Sequence, residues 1–178
     1  MAFIREYQGG DYEDVVEICK LTAHPSIHSS ADILPYIYAI PYITLEHAHA
    51  LVLDAGSSDN ECGRRVVGYI IGTPDTKIFV ERYKKEYIPT LPPTLLNISE
   101  TAAISDAATK TTVTSQAEEK EEDDDGDDDD LRRMFMKILM NPEDMLHSAS
   151  TSDLIPHYPA HLHIDILPES RGRGLAGS

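Results

Sequence analysis

The chain has 178 residues, 41% of them hydrophobic, with a formal net charge of −16. That length suits one domain with a core of its own. The acidity argues against broad nucleic-acid binding, which needs Lys/Arg surface against phosphates. Residues 118–130 (EEKEEDDDGDDDD) hold eleven acids and one lysine, so −10 of the charge sits there and about −6 is spread over the rest. Two cysteines, Cys19 and Cys62, fall in no Cys-x-x-Cys pattern and are too few for a disulfide scaffold, so a reducing cytoplasmic or nuclear setting is expected. The N-terminus carries charges throughout and has no apolar signal core, which argues against secretion. The longest apolar stretch, Ile33–Leu45, is short and interrupted by Pro35 and Pro41, so no membrane association is expected.

In chain order, Phe3–Tyr7 reads as a short strand broken by Gly9-Gly10. Asp11 is a plausible N-cap for a helix through about Thr22, with Val15, Ile18, Cys19 and Thr22 on one face. Ser30–Glu46 reads as a helical region bent or split at its two prolines. Ala50–Asp54 and Arg65–Thr73 are strand-like, and the turn-rich link between them predicts a hairpin. Asp75 is placed to cap a helix from Thr76 to about Tyr87, which Pro89, Pro92 and Pro93 stop. Residues 97–130 are Ser/Thr/Ala-rich and then almost purely acidic. Such a segment cannot bury enough apolar surface to offset its ordering entropy, so it is expected to be a disordered insertion within the domain. Leu131–Leu139 is amphipathic with Met134, Phe135, Ile138 and Leu139 along one stripe, and a short helix to His147 follows Asn141-Pro142. Ala160–Leu167 is the last strand, and it feeds a Gly/Arg-rich loop ready to open a helix.

That junction suits an anion. Backbone N–H groups at a helix start lack intrahelical partners, and the helix dipole adds roughly half a positive charge. Glycines let the backbone approach a ligand closely. On the strand before it, side chains alternate, so His161, His163 and Asp165 share one face and Leu162, Ile164 and Ile166 the other. Histidine titrates near neutral pH and suits general-base work. The same three residues also suit hydrogen bonds to neighbouring loops, a polar substrate face, or less readily a metal. Cys62 has no evident His partner that would make it a nucleophile.

The element order, with Arg171-Gly172-Arg173-Gly174-Leu175-Ala176 directly after a strand and Pro168-Glu169, resembles the GCN5-related N-acetyltransferase (GNAT) superfamily, whose signature is [Gln/Arg]-x-x-Gly-x-[Gly/Ala]. The segments Tyr158–Pro168, Ile40–Glu46 and Asp75–Tyr83 are similar to bacterial and fungal members related to the acetyltransferase-like domain of some O-GlcNAc hydrolases. The resemblance covers nearly all of the chain outside residues 97–130. It implies a single α/β (α+β) domain over residues 1–178, with a mixed sheet flanked by helices. It also implies acetyl-CoA as co-substrate and an amine acceptor; from the residues themselves, no metal is expected. Ile166 and Leu167 would offer backbone groups to the pantetheine arm. Amides of Gly172, Arg173, Gly174, Leu175 and Ala176 would hold the pyrophosphate, with Arg171 at the signature's first position. A base on the strand would be His163, Asp165 or His161. Members of the superfamily continue beyond the signature into a full helix and further strands, so the domain is expected to be incomplete at its C-terminus. A second expectation, from a different class, is a non-catalytic remnant that works as a binding module.

Overall fold

The computed structural model describes residues 2–56, 65–96, 125–147 and 154–172. Four strands form one sheet: β1 (Phe3–Glu6), β2 (His49–Asp54), β3 (Val66–Thr73) and β4 (His161–Ile166), in the order β1-β2-β3-β4. The α+β architecture follows the sequence expectation. Every pairing among the described strands is antiparallel, so the parallel pair that a mixed sheet contains is not among them. The β2–β3 hairpin forms as expected, with an irregularity at Leu53/Asp54.

The helices are α1 (Tyr12–Leu21), α2 (Leu34–Tyr38), α3 (Ile40–Thr44), α4 (Thr76–Arg82), α5 (Asp125–Met140) and α6 (Asp144–His147). The bend in the proline-containing region takes the form of two short helices, with Pro35 and Pro41 each in a first turn, where a missing N–H costs nothing. Asp75 caps α4 through the amides of Lys77 and Ile78. Asp11 behaves differently from a helix cap. Its carboxylate turns back to the Arg5 guanidinium and the Gln8 amide, joining β1 to the start of α1.

The helix expected from Leu131 begins six residues earlier, at Asp125. Residues 125–130 of the expected insertion fall within α5, where acid residues in a first turn are favoured by the helix dipole. Residues 97–124 of that expectation lie outside the described residues. Within α5 the core side chains are Phe135, Met136 and Leu139, whereas Met134 is 48% exposed. The apolar stripe therefore runs one position away from Met134.

Among the described residues the core lies on one face of the sheet. Val52, Val67, Tyr69 and Ile71 pack there with Val15, Ile18, Ile37, Phe79 and Leu139 from the helices. On the opposite face Ile4, Leu51, Ile70, Leu162 and Ile164 line up across the strands and are all exposed. On β4 this inverts the usual pattern. The polar residues His161, His163 and Asp165 face the helices, and the apolar ones face away.

Candidate active site

The two β4 histidines meet the N-terminal helices at Tyr42. Its ring is buried in α3 and stacks on Phe79 of α4 at 4.5 Å between centroids. Its hydroxyl lies 2.7 Å from Nε2 of His161 and 3.2 Å from Nε2 of His163. On the far side of His161, Nδ1 is 2.7 Å from Oγ1 of Thr76, and that hydroxyl is 2.6 Å from the carbonyl oxygen of Pro159. Thr76 sits at the start of α4 because Asp75 caps it there. The Thr76 amide also donates to the Pro159 carbonyl, which locks the entry to β4 against α4.

Counting protons assigns every role in this chain. A carbonyl only accepts, so the single Thr76 hydroxyl proton goes to Pro159. Oγ1 of Thr76 then accepts from Nδ1–H of His161. Nε2 of His161 therefore carries the lone pair and accepts from the Tyr42 hydroxyl. With its only proton committed, the Tyr42 oxygen accepts from Nε2–H of His163. The lone pair of His163 is thus on Nδ1. Among the described residues that nitrogen has no hydrogen-bond partner, and no partnerless side-chain nitrogen or oxygen there is fully buried, so Nδ1 is not wholly enclosed.

The environment keeps both imidazoles neutral. Burial, aided by the neighbouring His163, pushes His161 down to about 4. Burial also lowers His163, against an opposing pull from the Asp165 carboxylate. Desolvation disfavours an imidazolium, while a nearby negative charge favours it. Burial pushes the Tyr42 hydroxyl up, so it stays a protonated donor. Asp165 itself accepts a hydrogen bond of 2.6 Å from the Tyr69 hydroxyl on β3.

His161 and His163 line a cavity of about 660 Å³. Its other walls come from α2, α3, α4, α5, α6 and the segment before β4, and they are mostly apolar. Cys19 is the free cysteine among the described residues, and burial pushes its thiol up to about 12. A thiol that stays protonated at neutral pH is a poor nucleophile. Cys62 lies outside the described residues. Among the described residues no group of three or more His, Cys, Asp or Glu side chains is arranged to hold a metal ion. No helix there is long and apolar enough to cross a membrane.

The structure thus brings together the three strand residues singled out in the sequence, and it gives them different surroundings. Tyr42 and Thr76 were not singled out. The available signal was a polar tip, Tyr42, within the largely apolar run IPYIT, and a hydroxyl directly after the Asp75 cap. Nothing in the sequence pairs either residue with a histidine 119 or 85 positions away.

At the end of β4 the backbone groups divide by register. The Leu167 amide donates to the Val67 carbonyl, and the Leu167 carbonyl accepts from Ser170, so both of its groups are used within the fold. Gly68–Ile166 is the neighbouring pair, where alternation turns the Ile166 N–H and C=O toward the open edge of the sheet. Nε of Arg171 occupies that carbonyl at 2.8 Å, which leaves the Ile166 amide facing outward. A short 3-10 turn, Pro168–Ser170, leads to Gly172, whose φ of +71° is one that glycine adopts without strain. Arg173, Gly174, Leu175 and Ala176 lie outside the described residues.

The chain matches no protein-family model. It is similar to a solved structure, the crystal structure of SsHAT, with a TM-score of 0.61 and 29% sequence identity, over 97% of this chain and 70% of that one. The fold is acetyltransferase-like.

Proposed function

We propose that this protein is an N-acetyltransferase that moves the acetyl group of acetyl-CoA to an amine, with His163 as general base. The observation that carries this reading is the bond between Nε2 of His163 and the Tyr42 hydroxyl, which leaves the Nδ1 lone pair of a cavity-lining histidine without a partner among the described residues. The similarity to SsHAT supports the class of chemistry. The narrower kinship, with the acetyltransferase-like domain of O-GlcNAc hydrolases, rests on segments 40–46, 75–83 and 158–168 alone.

The amine must lose a proton as it attacks. Its nitrogen forms a bond to the thioester carbonyl carbon, the C–S bond breaks, and the coenzyme leaves as thiolate. Nδ1 of His163 takes the proton from the amine nitrogen. The thiolate takes one from solvent, and the imidazolium later returns its proton there. A general base within hydrogen-bonding reach contributes about 10²- to 10⁴-fold. His161 is unsuited to this task, since Tyr42 and Thr76 occupy both its nitrogens. Its work is to hold Tyr42, which in turn holds His163. Asp165 supplies the negative charge that steadies the His163 imidazolium.

For the coenzyme, the Ile166 amide at the open edge fits a carbonyl of the pantetheine arm, while Leu167 has both backbone groups engaged. The diphosphate falls to the amides of Gly172, Arg173, Gly174, Leu175 and Ala176. Arg171 contributes by fixing the strand end through the Ile166 carbonyl. The alternative, a non-catalytic binding module, has no observation among the described residues in its favour. A reduced compartment, cytoplasmic or nuclear, suits a chain with a buried free thiol.

The test is amine-dependent release of CoA thiol from acetyl-CoA, followed for the wild type and for His163→Gln. A fall of about 10²- to 10⁴-fold in kcat/KM for the variant supports the role given to His163. Equal rates, or no stabilisation of the wild type by acetyl-CoA on thermal unfolding, contradict the proposal.

A further inference from the structure

The wall of the His163 cavity carries information about the acceptor. Among the described residues its polar groups are Tyr38, Tyr42, Thr76, Tyr158, His161, His163 and Asp144. Three of these spend their hydrogen-bonding capacity on one another and on Pro159. What remains for a ligand is the Nδ1 lone pair of His163, the hydroxyls of the lining residues Tyr38 and Tyr158, and the exposed carboxylate of Asp144, which accepts from the Asn141 side chain at 2.8 Å. The rest of the wall is apolar and includes Ile37, Ile138, Met145 and Ile155. Apolar surface continues at the rim, where Leu154 is 53% and Tyr158 73% exposed. Exposed apolar groups around a concave apolar wall mark a binding surface.

A ligand with many hydroxyl or ammonium groups would lose their hydration on entry and find few partners on a mostly apolar wall. An unpaired buried polar group costs about 1–3 kcal/mol in protein contexts. A polyamine or amino sugar carries several such groups. A lysine in a peptide brings flanking amides against the Leu154/Tyr158 rim. An amine with a single polar end escapes both costs. It buries its body against the apolar wall and presents its one nitrogen to the polar corner.

We infer that the acceptor is a primary monoamine carried on an apolar body, with the nitrogen directed to Nδ1 of His163 and the body packed between α2, α5 and the Leu154–Tyr158 segment. This rests on the acetyl-transfer reading for its reaction and on the cavity for its ligand, and the two are separable by experiment. Ring walls from Tyr38 and Tyr42, both in edge-on contact with His163, suit an aromatic or an aliphatic body.

The experiment uses the full chain and four kinds of amine: 2-phenylethylamine or hexylamine, spermidine, an aminoglycoside, and a lysine-containing peptide. Binding is measured calorimetrically without coenzyme, and CoA release is measured with acetyl-CoA. The two apolar monoamines are expected to bind, and to be acetylated with kcat/KM at least about tenfold above the other three, the discrimination expected from apolar contacts. Ala160→Phe, which fills the cavity from an exposed position, abolishes the binding. Tyr158→Ala, at a side chain too exposed to matter for folding, weakens it several-fold. Acetylation of spermidine, the aminoglycoside or the peptide at equal or better efficiency overturns the substrate assignment and leaves acetyl transfer standing. Binding of the apolar amines, sensitive to both variants but with no amine acetylated, upholds the ligand class and overturns acetyl transfer. Absence of apolar-amine binding in the wild type overturns the inference.

Discussion

Nε2 of His163 lies 3.2 Å from the Tyr42 hydroxyl, although 121 positions separate the two residues in the chain. The contact decides which imidazole nitrogen is basic, because the Tyr42 proton is already given to His161 at 2.7 Å. A single phenol oxygen therefore couples a fixed acceptor, His161, to a working base.

Tyr42→Phe keeps the stack on Phe79 and removes only that oxygen. His161 loses a donor, and His163 loses the acceptor that sets its tautomer. The expected loss of stability is about 1–3 kcal/mol, the cost of leaving buried polar partners unsatisfied, read from urea unfolding. Activity is expected to fall roughly 10- to 100-fold, as misplacement of a catalytic group does. Unchanged kcat in a folded variant would remove Tyr42 from the positioning role.

The pH profile separates Asp165 from His163. Burial lowers the His163 pKa and the Asp165 carboxylate raises it. Asp165→Asn removes the raising influence while keeping an acceptor for the Tyr69 hydroxyl. The acid limb of kcat/KM, which reports the base in the free enzyme, is expected to move to lower pH. A limb that stays put or moves to higher pH would contradict the assignment.

Folding stability should fall on acidification in a defined window. His161 is held at about 4 in the fold against an ordinary 6.5. Between those values the unfolded chain binds a proton that the folded chain refuses, so stability declines as pH drops from about 6.5 toward 4. Below 4 both states are protonated and this contribution is gone. Denaturant midpoints measured across that range check it, and His161→Gln is expected to flatten the decline.

Gly72 controls how closely β4 approaches β3. A Cβ built there would stand 2.5 Å from the His161 carbonyl oxygen and 2.8 Å from the Leu162 Cβ. Backbone cannot yield as a side-chain tip does, so Gly72→Ala must push the strand away at the residue that anchors the relay. A loss of about 1–3 kcal/mol is expected, in the range of overpacking, together with reduced activity. Gly9→Ala, where a Cβ meets nothing within 4 Å, serves as the control.

Much of this arrangement was legible because it is local. Alternation placed His161, His163 and Asp165 on one face, the Asp75 cap located the start of α4, and the prolines divided α2 from α3. Burial was not legible in the same way. The apolar side of a strand is ordinarily the buried one, yet Leu162 and Ile164 are 59% and 55% exposed, because the helices pack on the polar side. Likewise an amphipathic stripe tolerates a shift of one position, so Met134 was favoured where Met136 is buried. The onset of α5 was missed because a run of like charges reads as solvated chain, although the helix dipole accepts acids in a first turn. Long-range partners such as Tyr42 and Thr76 leave no trace in spacing.

Whether His163 offers a neutral, accessible base is read most directly from nitrogen–proton correlation spectra of protein labelled at histidine. At neutral pH, His163 is expected to carry its proton on Nε2 and a lone pair on Nδ1, to titrate below 6.5, and to change tautomer in Tyr42→Phe. A proton on Nδ1 of His163 in the wild type, or an imidazolium persisting at pH 7, would contradict the mechanism at its centre.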